Sequence, residues 1–262
     1  MQTRACTVAG MFYPGDPAHL EQFLSMVNPE QTADMPAALG IVAPHAGYPY
    51  SGAVAARAYA AIPPSFDGTF IIIGPSHHGF TTSASAIPWE TPLGIVDVDV
   101  DLVEAIGIPI DDDAHATEHS IEVQVPFIKY HFPRARIAPI MMGDQSLRSA
   151  EKLAKAIIAA VKKTGHEVRI VASSDFSHYV PEKLAHHVDL QAIEALKTLD
   201  VPEFYRKIEY LDVSACGYGP IATMTLVCTA LGATEAKLLT YTTSGDVTGD
   251  PLVVGYAAIA VV

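Results

Sequence analysis

The sequence predicts an α/β fold built on a mostly parallel sheet, and three observations predict it. Apolar, β-branched runs recur at residues 39–43, 70–73 and 168–172, and each stops at a Gly, Pro or Ser. Helical periodicities alternate with such runs, which is the pattern of buried parallel strands joined by helices. Chemistry-bearing residues follow each run within a few positions: His45, then His77 and His78, then Asp175 and His178. Ligands of parallel sheets bind outside the carboxyl ends of the strands. Imidazoles and a carboxylate far apart in the chain are therefore expected at one sheet edge.

The elements follow in order. Asp16 and Pro17 open a helix as N-cap and first turn, and Leu20, Phe23, Leu24 and Val27 give it one apolar face. The run at 39–43 is a strand leading to the His45 loop. Ser51 is expected to cap a small-residue helix over 52–61. The run at 70–73 leads to the His77 loop. Residues 84–98 read as a hairpin-like excursion around Trp89 and Gly94, and Asp99 caps a short helix ending at Ile106. Asp111, Asp112 and Asp113 lack the alternate spacing and the Gly of a calcium loop, so they read as a solvated turn. A helix begins at Thr117-Glu118-His119-Ser120-Ile121-Glu122 and is broken or kinked by Pro126. Residues 137–142 form a strand, and 147–162 an amphipathic helix closed by Gly165. The run at 168–172 delivers Asp175 and His178, and a helix follows over 182–199. Ala215-Cys216-Gly217-Tyr218-Gly219-Pro220 opens an apolar helix through Leu231. The last strands are 236–243 and 252–261, the latter apolar enough to lie inside the sheet. With no repeat or linker, residues 1–262 read as one domain.

Composition narrows the function. Half of the 262 residues are apolar and 17% are charged, as in a compact enzyme-like globule. A formal charge of −13 repels a phosphate backbone, so nucleic acid is not an expected partner. Apolar runs fall short of membrane-spanning length, and the start lacks a signal-peptide layout. Cys6, Cys216 and Cys228 are too widely spaced for a disulfide framework. No membrane is expected as a partner, and the chain reads as cytoplasmic with reduced thiols. Walker, G-x-G-x-x-G, H-E-x-x-H, C-x-x-C and G-x-S-x-G patterns are missing, so no nucleotide cofactor is expected.

The candidate residues carry two readings each. His45 sits in the stiff loop Pro44-His45-Ala46-Gly47 and is either a ligand or a hydrogen-bond partner of a neighbouring loop. Adjacent residues of an extended loop point apart, so His77 is taken as the ligand and His78 as supporting or surface. Two histidines from adjacent strand ends point to a metal, and neutral imidazole suits zinc, copper or iron. Asp175 and His178 share one side if the chain turns helically there. Such a pair ligates metal, orients a histidine or exchanges protons; alternatively Ser173, Ser174 or Asp175 caps the next helix. Glu118 and Glu122 share a helix face with His119 beside them in supporting roles, or Thr117 and Ser120 simply cap that helix. Cys216 stands at a helix start, where the dipole favours a thiolate. It serves as a metal ligand or as a nucleophile with His178 or His45 as base; the plainer reading is a small buried residue at a tight turn.

Several motifs together resemble the Memo family, known in prokaryotes as the B protein of the AmmeMemoRadiSam set. They are Ala9-Gly10-Met11-Phe12-Tyr13-Pro14, Pro44-His45-Ala46-Gly47-Tyr48, Gly74-Pro75-Ser76-His77-His78, Thr91-Pro92-Leu93-Gly94, Glu118-His119-Ser120-Ile121-Glu122, Ser173-Ser174-Asp175-Phe176-Ser177-His178, Cys216-Gly217 and Gly255-Tyr256-Ala257-Ala258. The resemblance runs through nearly the whole chain. It implies a three-layer αβα fold with a central, mostly parallel (mixed) sheet, resembling the class III extradiol dioxygenases. It places the metal ligands on His45, His77 and Cys216, with Asp175 and His178 as catalytic residues lining the same pocket. It implies one transition-metal ion, iron or copper, with zinc as the third choice, because a cysteine stands where the dioxygenases have a carboxylate. The implied function is a redox or oxygenase-like non-haem metalloenzyme. The alternative is a module that binds a small-molecule or peptide ligand in the same pocket without catalysis. The prokaryotic resemblance also implies a functional link to a radical-SAM protein.

Overall fold

The computed structural model describes residues 2–29 and 37–262. Asp16 accepts from the His19 N–H and, with Pro17, starts α1 (Pro17–Val27), whose Leu20 and Leu24 are buried. Strand β1 (Gly40–Ala43) leads into α2 (Tyr48–Ala60), and β2 (Thr69–Pro75) follows. Next come β3 (Ser83–Ala84) and the expected hairpin of β4 (Trp89–Thr91) and β5 (Gly94–Val96). Asp99 caps α3 (Val100–Ile106) as expected. Short helices α4 (Asp112–His115), α5 (His119–Glu122) and α6 (Val125–His131) then lead to β6 (Arg136–Met142). Pro126 stands in the first turn of α6, where its missing N–H costs nothing, and so separates α6 from α5. Helix α7 (Leu147–Thr164) is capped by Ser146 and ended by Gly165 in the left-handed region. Strands β7 (Val168–Ser173) and β8 (His178–Pro181) precede α8 (Glu182–Lys197), α9 (Val201–Tyr210) and α10 (Tyr218–Ala230). The chain closes with β9 (Ala236–Thr243), α11 (Gly245–Thr248) and β10 (Leu252–Val261).

The main sheet has the order β3-β6-β2-β7-β1-β10-β8, with β9 also paired to β10. Strands β6, β2, β7 and β1 are mutually parallel. Antiparallel β3 and β10 flank them, and β8 and β9 pair antiparallel with β10, so the sheet is mixed. Every residue of β1 and β2 is buried, as strands covered on both faces require. Helix α2 packs against β1, β9 and β10, while α10 lies on β7, β1 and β2 and is backed by α7. The result is the expected three-layer αβα arrangement. Gly40 lets α10 approach β1 closely: a Cβ there would meet Cys228 Sγ at 2.5 Å and Met224 Sδ at 2.8 Å. No helix among the described residues is long and apolar enough to cross a membrane.

Several local expectations change. Ser51 is not a cap; α2 starts at Gly47 with Pro49 in its first turn, and the Ser51 hydroxyl donates to Ala46 O inside the helix. Asp111 and Asp113 are exposed, as a solvated segment implies, but the run opens a helix and not a turn: Asp111 caps α4, and Asp112 accepts from Ser85 Oγ and Ala86 N–H. The segment after β7 does not turn helically. His178 already belongs to β8, and α8 starts only after Pro181, so none of Ser173, Ser174 and Asp175 caps it. Strands β1 and β2 are not neighbours, because β7 lies between them.

The N-terminal segment is tied down by a buried ion pair. Arg4 Nη1 lies 2.6 Å from Glu122 Oε2, with side chains 3% and 1% exposed. Arg4 also donates to His115 O and Glu118 O, and its guanidinium lies 4.1 Å over the Trp89 ring. Glu122 accepts from Thr7 N–H and Oγ1, Val8 N–H and Tyr13 Oη. Burial alone would raise the Glu122 carboxyl, but Arg4 and these donors hold it below its ordinary value. Its stabilising contribution is therefore complete above the unfolded carboxylate pKa of about 4.3 and is lost as pH falls through the depressed folded value. Glu122→Gln leaves Arg4 buried and uncompensated, and should cost about 3–5 kcal/mol near neutral pH in urea unfolding. The deficit relative to wild type should shrink in acid.

Candidate metal centre

Strands β2, β7 and β1 lie side by side and parallel, so their carboxyl ends open at one edge. His45, His77 and Asp175 each stand two residues beyond the end of one of these strands. Cys216 arrives from the loop before α10. His45 Nε2 lies 3.1 Å from Cys216 Sγ, and the ligand atoms of His45, His77 and Cys216 all fall within 4.8 Å of one another. The His45 and His77 rings meet edge to face, with centroids 5.3 Å apart.

Hydrogen bonds fix which nitrogen each ring presents. Ser173 Oγ gives its proton to Ser120 O at 2.6 Å, so towards His45 Nδ1 at 2.9 Å it can only accept. His45 therefore carries its proton on Nδ1 and offers Nε2. His77 Nδ1 donates to Glu118 Oε1 at 2.8 Å, and the His77 N–H donates to Oε2 at 2.7 Å. Burial alone would raise the Glu118 carboxyl. The bonds from the His77 ring, its backbone and the Ser120 N–H prevail and hold it well below the usual carboxylate range. His178 Nδ1 faces Ser214 O at 2.8 Å, a carbonyl that only accepts, and its N–H donates to Ser214 Oγ at 2.8 Å. All three rings thus present Nε2.

The Cys216 loop is zipped to the exit of β7. Cys216 N–H donates to Asp175 O at 3.2 Å, Asp175 N–H points to Cys216 Sγ at 3.2 Å, and Gly217 N–H donates to Ser174 Oγ at 2.9 Å. Gly217 admits this approach, since a Cβ would meet Ser173 O at 2.4 Å. Gln145 holds the other side, donating to Cys216 O and accepting from Gly219 N–H. The dipole expectation for Cys216 fails in the bare protein. Burial of the sulfur, with the Asp175 charge next to it, pushes the thiol up and keeps it protonated. Burial and the nearby imidazoles His119 and His77 press His45 well below its ordinary value. Burial, then His77, lowers His119 to about 4. His45 and His119 are therefore neutral lone-pair donors near pH 7.

The remaining residues divide. Asp175 does not pair with His178: its Oδ1 accepts from the His45 and Ala46 N–H groups at 2.8 and 3.4 Å, fixing the His45 loop. Burial, against those bonds, raises its carboxyl above the ordinary value. His119 joins the cluster, its ring 4.4 Å from His77 and 5.5 Å from His45, with Phe12 on it at 4.8 Å. His78 points apart from His77, with Nε2 3.3 Å from Thr117 O. Glu122 turns away from the cluster towards Arg4, so it shares a helix turn with Glu118 but no partner histidine. Sequence reasoning missed Ser173, Ser214 and Gln124. Gln124 is fully buried and donates to Pro44 O and Ser173 Oγ at 2.9 and 2.8 Å. A glutamine inside an apolar helical stretch was the available signal. Ser173→Ala should release the His45 tautomer: two-bond nitrogen–proton NMR spectra should lose the single Nδ1–H pattern of wild type while the fold stays intact.

Comparison with known proteins completes the description. The family model described as Memo-like protein matches residues 4–260. A MEMO1 family protein of Methanosarcina barkeri is 44% identical over 98% of this chain and 99% of its own. Those of Methanococcoides burtonii and Archaeoglobus fulgidus are 43% and 42% identical, covering 98% and 96% of this chain and 99% and 97% of theirs. With a family match across nearly the whole chain and relatives of this closeness, the chain belongs to the Memo-like family.

Proposed function

We propose that this protein is a metal-dependent enzyme of redox or oxygenase-like type, holding one transition-metal ion on His45, His77 and Cys216. The observation that carries the reading is the 3.1 Å approach of His45 Nε2 to Cys216 Sγ, with His77 in the same cluster. The donor set fits such an ion. Two neutral imidazoles and one thiol suit copper, iron or zinc, with copper or iron needed for redox chemistry. A thiol held protonated by burial is a poor nucleophile by itself, which weighs against cysteine-dependent hydrolysis. When bound, the ion would ionise the thiol and supply Lewis-acid or electron-transfer chemistry.

The chain's own residues prepare the rest. Ser173 and Glu118 keep the Nδ1 protons in place and turn the lone pairs inward. Asp175 holds the His45 backbone against the Cys216 loop. His178 presents its Nε2, steadied by Ser214 at Nδ1, and is the group suited to take or return a proton of a bound small molecule or peptide.

Protein purified without oxygen should contain one ion per chain and show a thiolate charge-transfer band that disappears in Cys216→Ala. His45→Ala and His77→Ala should lower metal affinity by more than the about 10–100-fold typical of outer partners. Stoichiometric metal retained in His45→Ala would overturn the assignment. His178→Gln should keep the ion and its band while losing turnover. Ligand binding indifferent to a chelator would favour the binding-module alternative.

A further inference from the structure

A second donor set shares His77. Glu118 Oε1 lies 2.8 Å from His77 Nδ1 and 3.5 Å from His119 Nδ1, and ligand atoms of these three residues fall within 4.8 Å of one another. Two ligands each about 2.1 Å from an ion stand about 3.0 Å apart at a right angle and about 3.4 Å apart at the tetrahedral angle. The two observed separations bracket that range, one slightly shorter and one slightly longer, so shifts of about 0.2 Å bring the three donors to ligating distance. The Glu118 side chain is fully buried, while those of His119 and His77 keep 21% and 32% exposure, so an ion has a way in.

We propose that His77, Glu118 and His119 form an alternative cation site, exclusive with the thiolate set, and that the tautomer of His77 selects between them. A neutral imidazole carries one proton. With that proton on Nδ1, bonded to Glu118, Nε2 serves the set with His45 and Cys216. With it on Nε2, Nδ1 turns its lone pair towards Glu118 Oε1 and His119. The first set contains sulfur and prefers softer ions. The second has two nitrogens and a carboxylate oxygen and prefers harder divalent ions such as Mn(II) or Fe(II). Cation binding at this site does not need Cys216 and is tested separately, while its exclusivity rests on the proposed thiolate centre, with which it shares His77.

Mn(II) is the probe, followed by electron paramagnetic resonance on the full chain, with Zn(II) as the soft competitor. One Mn(II) should bind per chain with an affinity unchanged by Cys216→Ala and lowered at least about tenfold by His119→Ala. Zn(II) should expel Mn(II) one for one. Zinc binding by His119→Ala reports that the variant folds. Should it not fold, X-ray absorption of Mn(II)-loaded wild type decides: only nitrogen and oxygen neighbours support the site, and a sulfur neighbour overturns it. Absence of Mn(II) binding, Mn(II) binding that follows Cys216 and ignores His119, or simultaneous retention of both ions each overturns the proposal. Zinc affinity in Cys216→Ala reads the thiolate centre independently.

Discussion

The polar residues that leave β7 hold the candidate site together. An apolar strand ends at Ser173, and residues 173–175 carry a hydroxyl, a hydroxyl and a carboxylate into nearly water-free surroundings. A buried polar group left unpaired costs about 1–3 kcal/mol, so each must find a partner. Ser173 reaches Ser120, Gln124 and His45; Ser174 reaches Gly217; Asp175 reaches His45 and Cys216. Further along, Ser177 donates to the buried Asp189, which also accepts from Tyr241. The requirement that one short segment be satisfied thus draws in the exits of β1 and α5 and the approach to α10.

Electrostatics follow from the same economy. The chain carries a formal charge of −13, yet the carboxylates nearest the cluster do not face solvent. Glu118 is spent on the His77 ring and two backbone N–H groups, Asp175 on the His45 loop, and Glu122 on Arg4 and the N-terminal segment. Each acts as a scaffold acceptor. What remains at the opening is a set of imidazole nitrogens and the Cys216 sulfur.

The strand ends were legible because parallel strands buried on both faces write themselves as apolar runs, and Gly, Pro or Ser marks where they stop. That logic located His45, His77 and Asp175. Cys216 stood out through the small-residue turn before an apolar helix. The placing of β7 between β1 and β2 was not legible, since the order of parallel strands depends on crossover packing and leaves no local pattern. Nor was the aim of Asp175: spacing placed it near His178, while two N–H groups of the His45 loop captured it. Ser173, Ser214 and Gln124 were invisible as site residues because their importance lies in partners 36 to 128 residues away. The two-residue β3 and four-residue β8 are too short for periodicity to reveal.

The pairing of β1 with β10 has a consequence for the order of assembly. Gly40 lies opposite Val261, so β1 meets one neighbour only after residue 261 has been synthesised, and its other neighbour begins at Val168. Contacts of this sequence separation make folding slow and leave apolar strands exposed while they wait. On the ribosome, the chain passes through a long interval with both histidine loops already made but without β7, the strand that lies between β1 and β2. The cluster is completed late, since Cys216 and the strand that pairs with β1 are among the last parts to be made.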